Sequence, residues 1–179
     1  NYFIGGSTAP DSAGLIFDGH ASYGPGTGTY EWDGTDWTAG GNITAAGPGG
    51  SQGITGTGTQ TAALGMGGIV SGTALTSNES YNGSTWTEIA DLNIGANSLG
   101  SNGTQTSALA YGGQNTPPSG AETAKNESWN GSAWTEVADL NRTTSFIAGL
   151  GADNTSALAA GGTPNGVANT ETWNGSAWT

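Results

Sequence analysis

The chain has no cysteine, one histidine, one methionine and only two basic residues, Lys125 and Arg142, among its 179 positions. Without cysteine there can be no disulfide framework and no thiolate metal site, which neither requires nor excludes secretion. The two cations stand against 14 acids, for a formal net charge of −12. Such a chain has no basic patch with which to neutralise phosphates, so nucleic acid and anionic membrane surfaces are poor partners. Strong acidity favours solubility and suits a saline, extracellular setting. No apolar run approaches the length needed to span a bilayer and no signal-peptide pattern is visible, so membrane insertion is not expected. The first residue is Asn1 rather than Met, as expected of a processed chain or a window on a longer one. Leu, Ile, Val and Phe together fall below about a fifth of the residues, and glycine numbers 34, a balance that borders on the composition of disordered chains.

What is present answers that composition. All seven tryptophans lie inside four copies of one seven-residue pattern, clearest as Trp129-Asn130-Gly131-Ser132-Ala133-Trp134-Thr135. The others begin at Trp173, at Tyr81 with tyrosine in first place, and at Trp32 with Asp-Gly in the turn. The eight aromatic positions are thus Trp32, Trp37, Tyr81, Trp86, Trp129, Trp134, Trp173 and Trp178. Each can bury roughly 150–250 Å², so together they replace many missing aliphatic residues. Asn-Gly and Asp-Gly are strong hairpin signals. A two-residue turn would pair Glu127 with Trp134, and a four-residue loop would set Trp129 directly opposite Trp134; both keep the two rings on one face. A three-residue loop would expose one ring and is rejected.

A second marker is a Gly-Gly pair closing a short apolar run, read at Gly5-Gly6, Gly67-Gly68, Gly112-Gly113 and Gly161-Gly162. The last three pairs lie 45 and 49 residues apart and the hairpins 49, 48 and 44, a period within the range of propeller blades. Each period is read as four short strands. The first is weakly apolar (53–55, 97–100 and 145–149), a Gly/Thr turn follows, the second is the run ending in Gly-Gly, and the hairpin supplies the third and fourth. The first repeat departs: its loop 7–29 is the longest and holds His20, and its exit Ala39-Gly40-Gly41-Asn42 lacks the later Glu-x-Ala-Asp-Leu. Counted this way the chain has four second, third and fourth strands but three first strands. The missing strand is expected from sequence beyond the window or from a neighbouring subunit, because soluble proteins avoid bare edges.

Gly-Gly closing a strand, then an aromatic, then a Trp a few positions on resembles the kelch repeat of β-propellers over nearly the whole chain. The resemblance rests on the four Gly-Gly pairs and the hairpin aromatics. The hairpin turn is tighter than in standard kelch units, and the arginine usual after the Trp strand has only Arg142 as a counterpart. The wording Trp-Asn-Gly-Ser-Ala-Trp-Thr-Glu-Val with Thr-Gln-Thr-Ser-Ala-Leu-Ala-Tyr-Gly-Gly is similar to kelch-like arrays of aquatic bacteriophages and bacteria. What the resemblance implies is an all-β, kelch-like β-propeller or propeller segment of about four blade-repeats (roughly 1–49, 50–94, 95–142 and 143–179), each of four short antiparallel strands. It further implies a phage tail fibre or other surface-exposed setting.

Groups suited to catalysis are scarce. His20 is the only imidazole, so a His-rich metal site cannot be built, and no nucleophile motif accompanies it. The acids at hairpin starts (Glu79, Glu127, Glu171) and after the hairpins (Glu88, Glu136, Asp91, Asp139) recur with the period, as turn or strand-edge devices do. Asp91 and Asp139 are expected to accept backbone N–H groups at the crossover. Oxygen donors for calcium are plentiful but no Asp-x-Asp-x-Asp-Gly loop is present, and no cofactor is expected. The tryptophans could stack on sugars, yet their presence in every repeat argues for packing between blades. The Asn-x-Ser/Thr triplets inside the Asn-Gly turns have a sufficient structural cause.

The expected function is a non-enzymatic, surface-exposed structural or attachment module of a virion or appendage. Its partners would be other subunits in a homo-oligomer and host surface glycans. Loops carry recognition, so candidate contacts are His20, Tyr23, Asn115 and Asn165. The alternatives are a carbohydrate-active lyase or hydrolase using loop carboxylates such as Asp11 or Asp18, and a protein-binding kelch adaptor.

Overall fold

The computed structural model describes residues 4–6, 12–18, 27–44, 52–115, 120–164 and 168–179, with backbone alone at 4–6 and 18. Every regular element among them is a β-strand. The first sheet is β1 (Ile4–Gly6), β2 (Gly14–Asp18), β3 (Thr29–Trp32) and β4 (Trp37–Ala39). The second begins with β5 (Thr55–Thr59) and β6 (Ala62–Met66). A two-stranded ribbon, β7 (Ile69–Val70) with β8 (Thr73–Ala74), then interrupts it before β9 (Asn78–Tyr81) and β10 (Trp86–Glu88). The third repeats the plan with β11 (Gly100–Thr104), β12 (Ser107–Tyr111), ribbon β13 (Gln114–Asn115) with β14 (Ala121–Glu122), then β15 (Asn126–Trp129) and β16 (Trp134–Glu136). In the fourth, β17 (Ala148–Asp153), β18 (Ser156–Ala160) and β19 (Thr170–Trp173) pair in order. A last segment joins them through the Trp173–Trp178 bridge and paired Thr172–Thr179 backbone bonds of 2.8 and 2.9 Å. All pairings are antiparallel, and the first strands β1, β5, β11 and β17 contact one another in chain order.

Sheet stacks on sheet by one repeated rule. The alternation of a strand sends successive residues to opposite faces. In β12, Ala108 and Ala110 therefore look back toward the second sheet while Leu109 and Tyr111 look forward to the fourth. Ala108 lies opposite Trp129, which lies opposite Trp134, so two small residues make a floor beside a ring pair. Onto that surface packs the forward ridge of the preceding sheet, Leu64 and Met66. The ridge Leu109 and Tyr111 meets Ala157, Ala159, Trp173 and Trp178 in the same way, and Leu15 and Phe17 meet Ala63, Tyr81 and Trp86. Ring pairs lie 4.9–5.5 Å apart, and Phe17 and Tyr111 add edge contacts at 4.8 Å to Trp86 and Trp178.

The first strands pack so closely that side chains there are small. A Cβ at Gly149 would stand 2.3 Å from the Ser101 carbonyl oxygen, and one at Gly100 2.3 Å from Ile147. What side chains there are bond across: Thr57 Oγ1 donates to the Gly103 carbonyl at 2.8 Å, and Asn102 Nδ2 to that of Asp153 at 2.7 Å. The Gly-Gly pairs have a separate cause. Gly67, Gly68, Gly112 and Gly113 all have positive φ, and the N–H groups of Gly68 and Gly113 reach the Ala96 and Thr144 carbonyls of the next repeat.

Three sequence expectations change. The hairpin closes through the four-residue loop, Trp129 opposite Trp134, and the two-residue alternative falls. Asn130 explains it: its Oδ1 accepts from the backbone of Ser132 (2.9 Å) and Ala133 (3.0 Å), stabilising a wider turn than Asn-Gly alone implies. The first strands lie later than read. Residues 53–54 and their counterparts lead in, the strand runs Thr55–Thr59, and of the stretch read as a turn (58–61) the first two residues end the strand while Gln60 and Thr61 form the turn. Finally, Gly5-Gly6 belongs to a first strand. The second strand of that sheet is Gly14–Asp18, inside the stretch read as a long loop, so all four sheets have their own first strand.

Trp134→Ala removes a nearly buried ring from the joint between the second and third sheets. Denaturant unfolding followed by tryptophan fluorescence should show a loss of about 3–5 kcal/mol.

Candidate functional site

Each joint between sheets is closed by a buried carboxylate. Glu127 is buried, and its oxygens accept from Asn93 N (2.9 Å), Asn93 Nδ2 (2.7 Å) and Ile94 N (3.0 Å) on the crossover leaving the second sheet. Glu171 does the same for Asn141 N and Nδ2, both 2.8 Å, and Glu79 for the N–H and hydroxyl of Thr44. The crossover of the first repeat lacks the later motif yet performs its task, with Ile43 buried where Leu92 and Leu140 are buried. An amide reaches back across each joint. Gln60, Gln105 and Asn154 donate to the carbonyls of Trp32 (3.0 Å), Tyr81 (2.6 Å) and Trp129 (3.1 Å). These acids are therefore structural acceptors, as their periodicity suggested. Asp91 and Asp139 differ from expectation: Asp91 accepts from the Thr76 hydroxyl at 3.2 Å and Asp139 pairs with Lys125 at 3.3 Å. The backbone donors they were expected to hold go instead to the glutamates. Arg142 donates to the Gly161 carbonyl at 2.6 Å and lies 3.7 Å from Glu171.

One open surface lies at the lead-in end of the first strands. Gly53, Ser98 and Phe146 occupy the same position in three successive repeats, and all have φ of 55–66°. For serine and phenylalanine that left-handed conformation is costly and persists only where the surroundings impose it. Here a backbone chain imposes it: Ser98 N donates to Gly53 O at 2.8 Å, and Phe146 N to Ser98 O at 2.9 Å. Together with Ile54, Thr55, Leu99 and Ile147 these residues line a cleft of about 280 Å³. No described lining residue carries a charge. Phe146 is 42 % exposed, so an aromatic ring stands beside hydroxyl and peptide groups. The opposite end of the first strands holds a second cleft, of about 290 Å³, lined by Gly103, Thr104, Gly151 and their neighbours.

The residues singled out in the sequence are dispersed by this arrangement. Tyr81, Trp86, Trp129, Trp134, Trp173 and Trp178 are buried in joints. Trp32 and Trp37 form the same ring pair, at 5.4 Å, but Trp37 is 48 % exposed. Asn115 is half-buried on the β13–β14 ribbon, its Oδ1 has no hydrogen-bond partner among the described residues, and it is not among the described residues that line the cleft. His20, Tyr23 and Asn165 lie outside the described residues. Among the described residues no group of three or more His, Cys, Asp and Glu gathers. Ser98 and Phe146 were missed. Aligning the lead-in segments would have found them, since a glycine in one repeat marks the backbone its counterparts must adopt.

The chain is thus an all-β protein of serially stacked antiparallel sheets. It is similar to the solved structure of YjhT, with a TM-score of 0.69 at 15 % identity over 82 % of this chain, a likeness of fold. The match spans about half, 49 %, of that structure's length. No protein-family pattern matches the chain, and no curated protein is similar to it.

Two outcomes test the electrostatics. Glu127→Ala leaves several buried donors without an acceptor and should lower stability by at least about 2 kcal/mol in urea unfolding, whereas Glu127→Gln should cost less. Asp33 fills the place of Asn130 in the first hairpin. The N–H of Asp36 and the hydroxyl and N–H of Thr35 hold its carboxyl down at about 2. Its contribution to stability is therefore complete above the ordinary value of 3.8 and is lost as pH falls through about 2. NMR titration should place the Asp33 midpoint there, and Asp33→Asn should remove the titration while keeping the turn.

Proposed function

We propose that the chain is a kelch-like β-propeller segment acting as a non-enzymatic attachment module, exposed on a virion or cell appendage, that holds neutral surface glycans at the lead-in cleft. The observation that carries this reading is Phe146, a large ring held in a left-handed conformation at the rim of an uncharged cleft. Flat rings suit the apolar faces of sugars. Although the Thr55 hydroxyl is paired with Ser101 Oγ at 3.0 Å and Ser98 Oγ donates to Asn97 Oδ1 at 2.9 Å, their oxygens keep acceptor capacity for sugar hydroxyls. The acidity of the chain, −12 in formal charge, disfavours anionic glycans and favours neutral ones. The hairpin aromatics are committed to packing, which shifts recognition away from the motif that first suggests sugar stacking.

A neutral-glycan array read with the labelled chain tests the proposal. Binding should appear, and Phe146→Ala should abolish it with thermal stability retained, because the ring is 42 % exposed and its removal does not open the core. Turnover of any bound glycan, or binding indifferent to Phe146, would overturn it.

A further inference from the structure

The three inner joints have two different sides. One is a forward ridge, Leu15 with Phe17, Leu64 with Met66, or Leu109 with Tyr111; the other is a small-residue floor with an aromatic pair. Both kinds of side recur at the ends of the series, where no further sheet among the described residues covers them. The first sheet presents the floor and ring pair. Gly14 lies opposite Trp32, Trp32 opposite Trp37, and Ile16 opposite Tyr30. Trp37 and Tyr30 are 48 % and 46 % exposed, whereas Trp86, Trp134 and Trp178, the counterparts of Trp37, are 5–6 % exposed. The fourth sheet presents the ridge. Leu158 is half-buried and its cross-strand partner Leu150 is 55 % exposed, where Leu64 and Leu109, the counterparts of Leu158, are 0 % exposed.

We propose that the first-sheet face of one copy seats on the fourth-sheet ridge of a second copy, head to tail, continuing the joint used three times within the chain. The two faces share the plan of the inner joints and their departures from it offset one another: Ile16 stands where Gly65, Ala110 and Ala159 keep the floor low, and Ala160 stands where Phe17, Met66 and Tyr111 raise the ridge. A further difference fits a joint between separate chains. Glu79, Glu127 and Glu171 each require crossover N–H groups from the preceding sheet, but the first sheet has Tyr30 at that position. The first face can therefore close on a ridge without burying a charge that needs donors from a covalent crossover. The contact is heterologous, since floor meets ridge, and it gives a ring or an open series according to the rotation between copies.

Sedimentation velocity on the chain between about 1 and 100 µM tests this, because association must strengthen with concentration. The expected result is a dimer or larger species. Trp37→Asp and Leu150→Asp, both at exposed positions, should each weaken self-association at least about tenfold with unchanged circular dichroism. Mixing the two variants should restore a dimer, because one intact floor and one intact ridge remain. A chain monomeric throughout, a variant without effect, or a mixture that stays monomeric would overturn the proposal; a variant without effect would indicate like faces meeting like.

Discussion

A buried carboxylate is tolerable only when donors surround it, and that condition fixes how one sheet stands on the next. Glu127 sits in a packed joint where an isolated charge would cost several kcal/mol. Its acceptors are filled by backbone and side-chain donors of Asn93 and by the backbone of Ile94, all on the segment that connects the two sheets. The same connection buries Leu92. Chain path, charge and core are thereby coupled: a crossover displaced by one residue would unbury the leucine and strip the glutamate at once. Because Asn93 Nδ2 also reaches the Trp134 carbonyl at 3.1 Å, the hairpin that carries the rings is held by the same side chain.

The low aliphatic content follows from this architecture. Strands that stand close together need Gly, Thr and Ser where they touch, and the apolar area is supplied by a few rings laid across each joint. Composition alone places such a chain near the disordered class, because it counts residue types and ignores their period. The period is what lets each ring meet a ridge.

Legibility in the sequence tracked the size of the signal. The one-face pairing of the hairpin rings was legible because either allowed turn length gave it, and the length itself was not, because Asn supports both turns. The first strands were displaced because Thr-Gly-Thr-Gly-Thr has no apolar alternation; its side chains face neighbouring strands across hydrogen bonds, a tertiary fact. Gly5-Gly6 misled by identity. The segment with the ridge, Gly-Leu-Ile-Phe, has leucine and phenylalanine where Leu64 and Met66 stand, but lacks the double glycine that marks them. The cleft was the least legible part, since a left-handed phenylalanine leaves no trace in propensity and emerges only from the backbone chain through Gly53, Ser98 and Phe146.

The distribution of charge connects the joints to the surface. Three of the 14 acids are consumed inside joints, and Asp33 and Asp153 are held in turns by Thr35 and Thr155. Lys125 draws Glu136 and Asp139 together on the exposed side of the third repeat, a pair of contacts that water screens heavily. The cleft at the lead-in end has no charged lining residue among the described residues, although acids dominate the charged residues of the chain. On the proposed reading, an acidic exterior around an uncharged, ring-bearing cleft would repel anions at a distance and leave close recognition to shape, stacking and hydroxyl groups. Selectivity of that kind depends on the backbone that sets Phe146 in place, so it rests on the same close approach of neighbouring repeats that demands glycine elsewhere.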